Sequence, residues 1–343
     1  MNHGLDAERV SVWLADNVEG AVPPFSFSLI VGGRSNLTYA VGGADGRRFV
    51  LRRPPLGQVL ATAHDMAREH RIITAVGATA TVPVPPTYGL CTDEAVNGAP
   101  FYVMGFVDGA VLDSPEKAAL LPVDLRRTTS EHLIDVLADL HSLDVDEIGL
   151  GDLARREGYV ARQLKRWSTQ WANSKTRELP AVDEVAERLA ARVPEQQGVV
   201  VAHGDFRFGN CLIDVDHGRV AAVLDWELCT LGDPLADVGY LSVYWTDQGS
   251  QPRRHNDPSG AEGFPDYGEL LDRYARRTGR DMSGIDFYVA FSSWRLAVIS
   301  EGVYARFLHG QMGDQVDPEL IETFKVGTEQ LAEAALDAIR RTR

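Results

Sequence analysis

The 343-residue chain is 44% hydrophobic and 24% charged, the balance of a globular protein of about two domains rather than a disordered or fibrous one. Its net charge of −15 argues against a nucleic-acid binder, which needs a positive field along the phosphate backbone. No apolar run reaches the roughly 20 residues of a membrane helix, and residues 1–15 lack the basic-then-apolar pattern of a signal peptide.

Cys91, Cys211 and Cys229 are widely spaced and odd in number, which suits free thiols in a reducing cytoplasm and shows no metal-ligand spacing. The expectation is a cytoplasmic protein with no nucleic-acid and no membrane partner. The acid excess is uneven: residues 1–107 hold nine acids and eight bases, residues 108–343 hold 40 acids and 26 bases. An acidic second half could draw cationic substrates, although solubility alone accounts for it.

In chain order, Asp6 is placed to cap a first helix carrying Val10, Trp13, Leu14 and Val18 at helical spacing. Strand signals follow at 25–31, 37–41 and 48–52, broken by Gly32-Gly33 and by a turn at 42–47. A helix is expected over 63–76, ended near Gly77. Pro83, Pro85 and Pro86 then mark an extended crossing, and strands at 86–90 and 101–106 complete a five-stranded sheet with one inserted helix.

Beyond Gly109 the pattern turns helical, at 130–143, 159–171 and 182–193. Short apolar runs at 199–201, 211–213 and 220–224 interrupt it, the last two joined as a hairpin by a turn at 214–218. Helices return from Pro234, at 267–278, 286–308 and 318–339. This is an α+β, two-lobed plan with a cleft between the lobes: a small antiparallel-sheet lobe at 1–107 and a larger, mostly helical lobe at 108–343.

The chemistry is concentrated in Val201-Ala202-His203-Gly204-Asp205-Phe206-Arg207-Phe208-Gly209-Asn210 and in Leu224-Asp225-Trp226-Glu227. Phosphoryl transfer is mostly positioning and electrostatic stabilisation. Mg²⁺ takes hard oxygen ligands, and a further carboxylate must orient the incoming hydroxyl and accept its proton. Asp205, just after a buried-type strand, is the candidate catalytic base. Asn210 and Asp225 are the candidate metal ligands.

The aspartate-to-asparagine spacing and the later aspartate match the protein-kinase catalytic loop. Here Gly204 replaces an arginine, and Asp225-Trp226-Glu227 replaces the DFG triplet. Singly, each residue reads as a turn or cap; their joint spacing after a sheet lobe selects phosphoryl transfer.

These residues resemble the aminoglycoside phosphotransferase and choline-kinase-like superfamily, whose motif is a His-Gly-Asp-x-x-x-x-Asn loop. More narrowly, the chain is similar to the branch found beside or fused to acyl-CoA dehydrogenases. That likeness is carried by Val50-Leu51-Arg52-Arg53-Pro54-Pro55, Ala63-His64-Asp65-Met66 with Arg68-Glu69, Gly232-Asp233-Pro234-Leu235-Ala236-Asp237, and Trp294-Arg295-Leu296-Ala297. It spans roughly residues 27 to 309.

The resemblance implies a protein-kinase-like fold and transfer of the γ-phosphate of ATP, with GTP open, aided by Mg²⁺, to a small-molecule hydroxyl. It also suggests an acyl-CoA dehydrogenase or other lipid-metabolism enzyme as a partner. Asp237 resembles the family residue that braces the catalytic loop.

For the nucleotide, Gly32-Gly33-Arg34-Ser35-Asn36 could lie over the phosphates with backbone N–H groups near their oxygens. Gly33, Arg34, Ser35 and Asn36 are the candidates there. Kinases place a lysine on the following strand, paired with a helix glutamate; the first lysine here is Lys117, and Arg52 takes the slot. Arg keeps the charge and adds a planar fork. Glu69 is its expected partner, against the alternative of a surface helix acid. Backbone groups from Met104 through Phe106 to Val107 are placed as a hinge for the adenine edge.

For the acceptor, Tyr159, Gln163, Arg166 and Gln170 share one helical side with Arg162 near them, a face that could hold an anionic, partly apolar substrate such as a hydroxyacyl-CoA; the alternative is an amphipathic helix with core tryptophans and solvated arginines. Arg295 and Glu301 lie in a mostly apolar helix, where each needs a partner: one another, other groups or substrate. His203 and His141 read as packed, hydrogen-bonded residues, and Asp233-Pro234 as a helix cap. An aminoglycoside O-phosphotransferase and a non-catalytic nucleotide-binding module beside a lipid-oxidation enzyme are the alternative readings.

Overall fold

The computed structural model describes residues 4–30, 36–56, 65–250, 257–310 and 318–342. The chain forms two compact units, one of residues 1–109 with 220–228, the other of 110–219 with 229–343.

The first unit holds α1 (Ala7–Asn17), β1 (Ser26–Leu29), β2 (Leu37–Gly42), β3 (Arg48–Arg53), α2 (Met66–Ala78), β4 (Thr87–Cys91), α3 (Glu94–Asn97) and β5 (Phe101–Gly105). The strands run antiparallel in the order β1-β2-β3-β5-β4. Period-two alternation sorts the two faces. Tyr39, Val41, Phe49, Leu51, Phe101 and Val103 meet Val10, Leu14 and Val18 in one buried cluster. Arg52 and Tyr102, paired directly across β3 and β5, alternate with those residues and so take the opposite face, where α2 packs on β4 and β5.

Caps set the helix starts. Asp6 and Asp65 accept the N–H groups of Arg9 and Arg68 at 3.1 and 3.0 Å, each satisfying a donor left open in the first turn. Helix α2 runs from Met66 behind its Asp65 cap, and the expected start at Ala63 lies outside the described residues. The short α3, capped by Asp93, carries too few residues to show a period.

The second unit holds α4 (Val123–Leu140), α5 (Tyr159–Ser174), α6 (Pro180–Ala191), β6 (Val200–Ala202), β7 (Cys211–Asp214), β9 (Thr230–Gly232), α7 (Pro234–Leu241), α8 (Tyr267–Thr278), α9 (Ile285–Leu308) and α10 (Pro318–Arg341), with β8 (Arg219–Val223) straddling its boundary. Helix α4 starts seven residues before the expected Ser130, because Thr129 and Ser130 return their hydroxyls to the carbonyls of Leu125 and Arg126 at 2.8 and 2.7 Å and stay buried inside the helix. Strand β9 pairs antiparallel with β6; three residues give no readable alternation.

Helix α9 is buried for most of its 24 residues and packs on α10 and α7. Gly239 makes the α7 contact possible: a Cβ there would lie 2.6 Å from the Tyr288 carbonyl carbon. Asp233 caps α7 by accepting the Leu235 N–H at 3.0 Å, and also takes the Tyr288 hydroxyl at 2.7 Å.

Candidate active site

The expected site residues form two clusters, one in each unit. In the first unit, Arg52 faces three carboxylates. Its Nε stands 3.0 Å from Glu69 Oε2, its Nη2 donates to Asp225 Oδ1 at 2.6 Å, and Glu227 Oε2 is 3.7 Å away. The Tyr102 hydroxyl donates to Glu69 Oε2 at 3.2 Å, and Asn36 Nδ2 donates to Glu69 Oε1 and Glu227 Oε2, each at 3.2 Å.

Glu69 is buried, not a surface helix acid. Burial lifts its carboxyl above the usual range, with Arg52 and the Tyr102 hydroxyl pulling the other way. Burial also works against the Arg52 charge, but Tyr102, Glu69 and Asp225 outweigh it and the guanidinium sits above its ordinary pKa.

Asp225 has φ +64, a left-handed conformation that costs an L-residue roughly 1–2 kcal/mol. Such strain persists only where surrounding contacts enforce it, and it gathers at functional sites. The neighbouring backbone is fixed by the Val223 N–H donating to the Pro83 carbonyl at 2.8 Å and by Trp226 Nε1 donating to the Val223 carbonyl at 3.1 Å.

In the second unit, the loop after β6 carries Asp205 and Asn210. Asn210 Nδ2 donates to the Asp205 carbonyl at 2.8 Å and to Asp205 Oδ2 at 2.7 Å. Gly204 turns the chain with φ +83, a conformation glycine adopts without steric cost.

Asp237 braces this turn from α7, accepting the N–H groups of His203 and Gly204 at 2.6 and 2.8 Å, with His141 Nε2 at 3.2 Å. His141 is held in turn by the Tyr274 hydroxyl at 2.7 Å. From α9, Arg295 Nη2 donates to the Gly204 carbonyl at 2.9 Å, its guanidinium 4.5 Å from the Tyr240 ring centre. Burial would raise the Asp237 carboxyl, but His141, His203 and the Gly204 N–H outweigh it and hold the pKa below its usual value.

The acceptor candidates separate. Tyr159 is buried, with its ring against Gly232, and burial pushes its hydroxyl up to about 12. Arg162 Nη2 donates to the Arg155 carbonyl at 2.6 Å. Arg166 is exposed, 5.2 Å from the Trp167 ring centre. The shared basic face expected of 159–170 is therefore divided between core and solvent, because Tyr159 follows the buried stripe of Val160, Leu164 and Trp171.

Arg295 and Glu301 do not pair with each other. Fully buried Glu301 accepts the Thr176 N–H and hydroxyl at 3.1 and 2.6 Å and meets Arg177 at 3.3 Å.

At the expected hinge, the N–H groups of Gly105 and Phe106 are already bonded to the carbonyls of Pro86 and Arg48 at 2.7 and 3.3 Å. Phe106 lies beneath the Arg48 guanidinium at 4.2 Å, and Met104 is buried in β5. Those two N–H groups are thus unavailable to an adenine edge in this arrangement. Gly33, Arg34 and Ser35 lie outside the described residues; Asn36 is described and buried.

Sequence reasoning gave no role to Tyr102, Glu227 or Arg207. Tyr102 was findable as the cross-strand neighbour of the Arg52 position, and Glu227 as the second acid after Asp225. Arg207 carried no signal beyond its place in the loop.

An antiparallel-sheet lobe, a larger helical lobe and a braced Asp205–Asn210 loop define the protein-kinase-like class of phosphotransferases. The chain matches the phosphotransferase enzyme family APH over residues 26–288 and belongs to it.

It is 32% identical, with a TM-score of 0.84 and 99% of both chains covered, to a putative aminoglycoside phosphotransferase from Ralstonia eutropha. An aminoglycoside phosphotransferase solved with AMP-PNP and hygromycin B shares the fold at 17% identity and a TM-score of 0.63, covering 96% of this chain and 98% of that one. Among curated proteins, acyl-CoA dehydrogenase family member 10 of Mus musculus is 36% identical over 89% of this chain and 28% of its own length. A probable acyl-CoA dehydrogenase of Arabidopsis thaliana is 34% identical over 99% of this chain and 43% of its own. The chain thus spans less than half the length of these curated relatives, whose names match the branch that the sequence resembles. Among the described residues, no helix is long and apolar enough to cross a membrane.

Proposed function

We propose that this phosphotransferase moves the γ-phosphate of a nucleoside triphosphate, ATP or GTP, onto a hydroxyl of a small hydroxyacyl-CoA or related lipid-derived metabolite. The observation that carries this reading is the Asp205 carboxylate, oriented through one oxygen by Asn210 in a loop fixed by buried Asp237 and Arg295. A carboxylate so fixed can align an incoming hydroxyl and accept its proton as the oxygen–phosphorus bond forms.

Mg²⁺ fits the donor chemistry. The bond between Asn210 Nδ2 and Asp205 leaves the Asn210 amide oxygen outside that pair, and the Arg52 bond to Asp225 uses Oδ1, not Oδ2. An amide oxygen and a carboxylate are hard ligands that Mg²⁺ takes together with substrate phosphates. Asn210 and Asp225 each keep an oxygen of the kind such an ion takes, and a bound ion would neutralise developing charge on the phosphate oxygens. Arg52, fixed by Glu69, supplies the cation that kinases take from lysine, and Asn36 ties the start of β2 to the same cluster. The names of the curated relatives support a lipid-derived acceptor and an acyl-CoA dehydrogenase as partner.

An aminoglycoside acceptor is the second reading, supported by the description of the Ralstonia eutropha relative and by the acid excess of residues 108–343. Mg²⁺-dependent transfer from ATP should be measured against hydroxyacyl-CoAs, hydroxy acids and aminoglycosides. Asp205→Asn is expected to keep nucleotide binding and lose transfer by roughly 10²–10⁴-fold. Equal turnover by both proteins removes Asp205 from the mechanism.

A further inference from the structure

Arg207 lies two residues beyond Asp205 and is only 18% exposed at its side chain. Its Nε is 3.3 Å from Asp205 Oδ1, and the guanidinium carbon stands 4.7 Å from the centre of the Tyr244 ring. Glycine at 209 makes this pose possible: a Cβ there would come within 2.1 Å of Arg207 Nη1 and 3.0 Å of its central carbon. Burial opposes the charge, but Asp205, Tyr244 and Tyr240 outweigh it and keep the guanidinium above its ordinary pKa.

Among the described residues, Nε is the only guanidinium nitrogen of Arg207 with a hydrogen-bond partner. Neither Nη atom is among the sealed-off, unpaired polar atoms of the described residues, so each keeps some contact with solvent. A largely desolvated guanidinium, stacked on a ring and held in one pose, keeps its forked donors preorganised for a pair of oxygens. Those donors adjoin the carboxylate that receives the acceptor hydroxyl.

We propose that Arg207 is a specificity-determining residue that binds a carboxylate or acyl carbonyl of the acceptor, a few bonds from the hydroxyl that Asp205 engages. The substrate class is therefore a hydroxy acid or its acyl derivative, not a neutral or polycationic alcohol. This rests on the phosphotransferase reading and narrows it. A nucleotide phosphate presents the same oxygen chemistry, so the test must separate the two sources.

Binding should be measured by calorimetry with ADP and Mg²⁺ present. The probes are a series of short hydroxy acids, from lactate to hydroxyhexanoate, their CoA thioesters, and diols of the same carbon skeletons. Wild type is expected to bind members of the acid or thioester series and not the diols. Arg207→Met should weaken that binding by roughly ten- to hundredfold, the loss expected for charge-assisted bonds, with ADP affinity unchanged.

Gly209→Ala keeps the charge but displaces the guanidinium, and should weaken the same ligands. Arg207→Lys should restore part of the affinity. Circular dichroism spectra matching wild type would show that each variant is folded.

Equal binding of acids and diols by wild type, or undiminished acid binding by Arg207→Met, overturns the proposal. So does a change confined to ADP affinity, which would assign Arg207 to the nucleotide. Selective acid binding without phosphoryl transfer would instead sink the kinase reading and leave the Arg207 site standing.

Discussion

Arg52 holds together a cluster with more negative than positive charge: Glu69, Asp225 and Glu227 surround one guanidinium. Replacing it with Met leaves buried Glu69 without its cation, and breaking a buried pair in this way costs about 3 kcal/mol. Arg52→Met should therefore lower the denaturation midpoint and weaken nucleotide binding. Arg52→Lys should fold better than Met but transfer phosphate more slowly than wild type, because an ammonium lacks the fork that reaches Glu69 and Asp225 together. Wild-type stability and turnover in Arg52→Met would show that the cluster has no role.

Asp237 adds a pH dependence with a defined sign. Its folded pKa is depressed, so its contribution is fully present above the unfolded value of about 4 and is lost as pH falls through the folded value. Urea unfolding of Asp237→Asn should show lower stability at neutral pH by about 1–3 kcal/mol, since the His203 and Gly204 N–H groups lose an ionised acceptor. Below pH 4 its stability should fall less steeply than that of wild type. Parallel curves would remove Asp237 from the acid response.

At the scale of elements, α7 and α9 approach closely at Gly239, where a Cβ would lie 2.6 Å from the Tyr288 carbonyl carbon. Gly239→Ala should cost about 1–3 kcal/mol through overpacking, and more if the Tyr288–Asp233 bond breaks. A thermal midpoint unchanged from wild type would mean that the helices separate freely.

Elements with strong period or caps were legible. The Asp6 cap, the strands β2, β3 and β5 with the turns between them, and the span of α8 all follow from local pattern. Strand β9, α3 and the first turns of α4 were not. The first two are too short to carry a period, and α4 opens with buried polar residues whose side chains bond back to their own helix.

Over the whole molecule, all three cysteines are buried, Cys91 in the first unit and Cys211 and Cys229 in the second. Burial raises the thiol of Cys211 and, with some opposition from the Asp93 backbone, that of Cys91. A thiol reagent should label no cysteine in the native protein and all three in denaturant. Labelling of single-cysteine variants along a urea gradient would then report each unit separately. Rapid labelling of the native protein would contradict the burial.

The loop spacing, the Arg52 slot and the two-lobed α+β plan came from sequence, since turn chemistry and periodicity act between near neighbours. What the tertiary structure decided was partnership. Residues 220–228 fold with the sheet unit, Arg295 supports Gly204 rather than Glu301, Tyr159 enters the core while Arg166 stays in solvent, and Gly209 makes room for Arg207. Helical spacing fixes which residues share a face, but whether that face meets core or water depends on which distant elements pack against it.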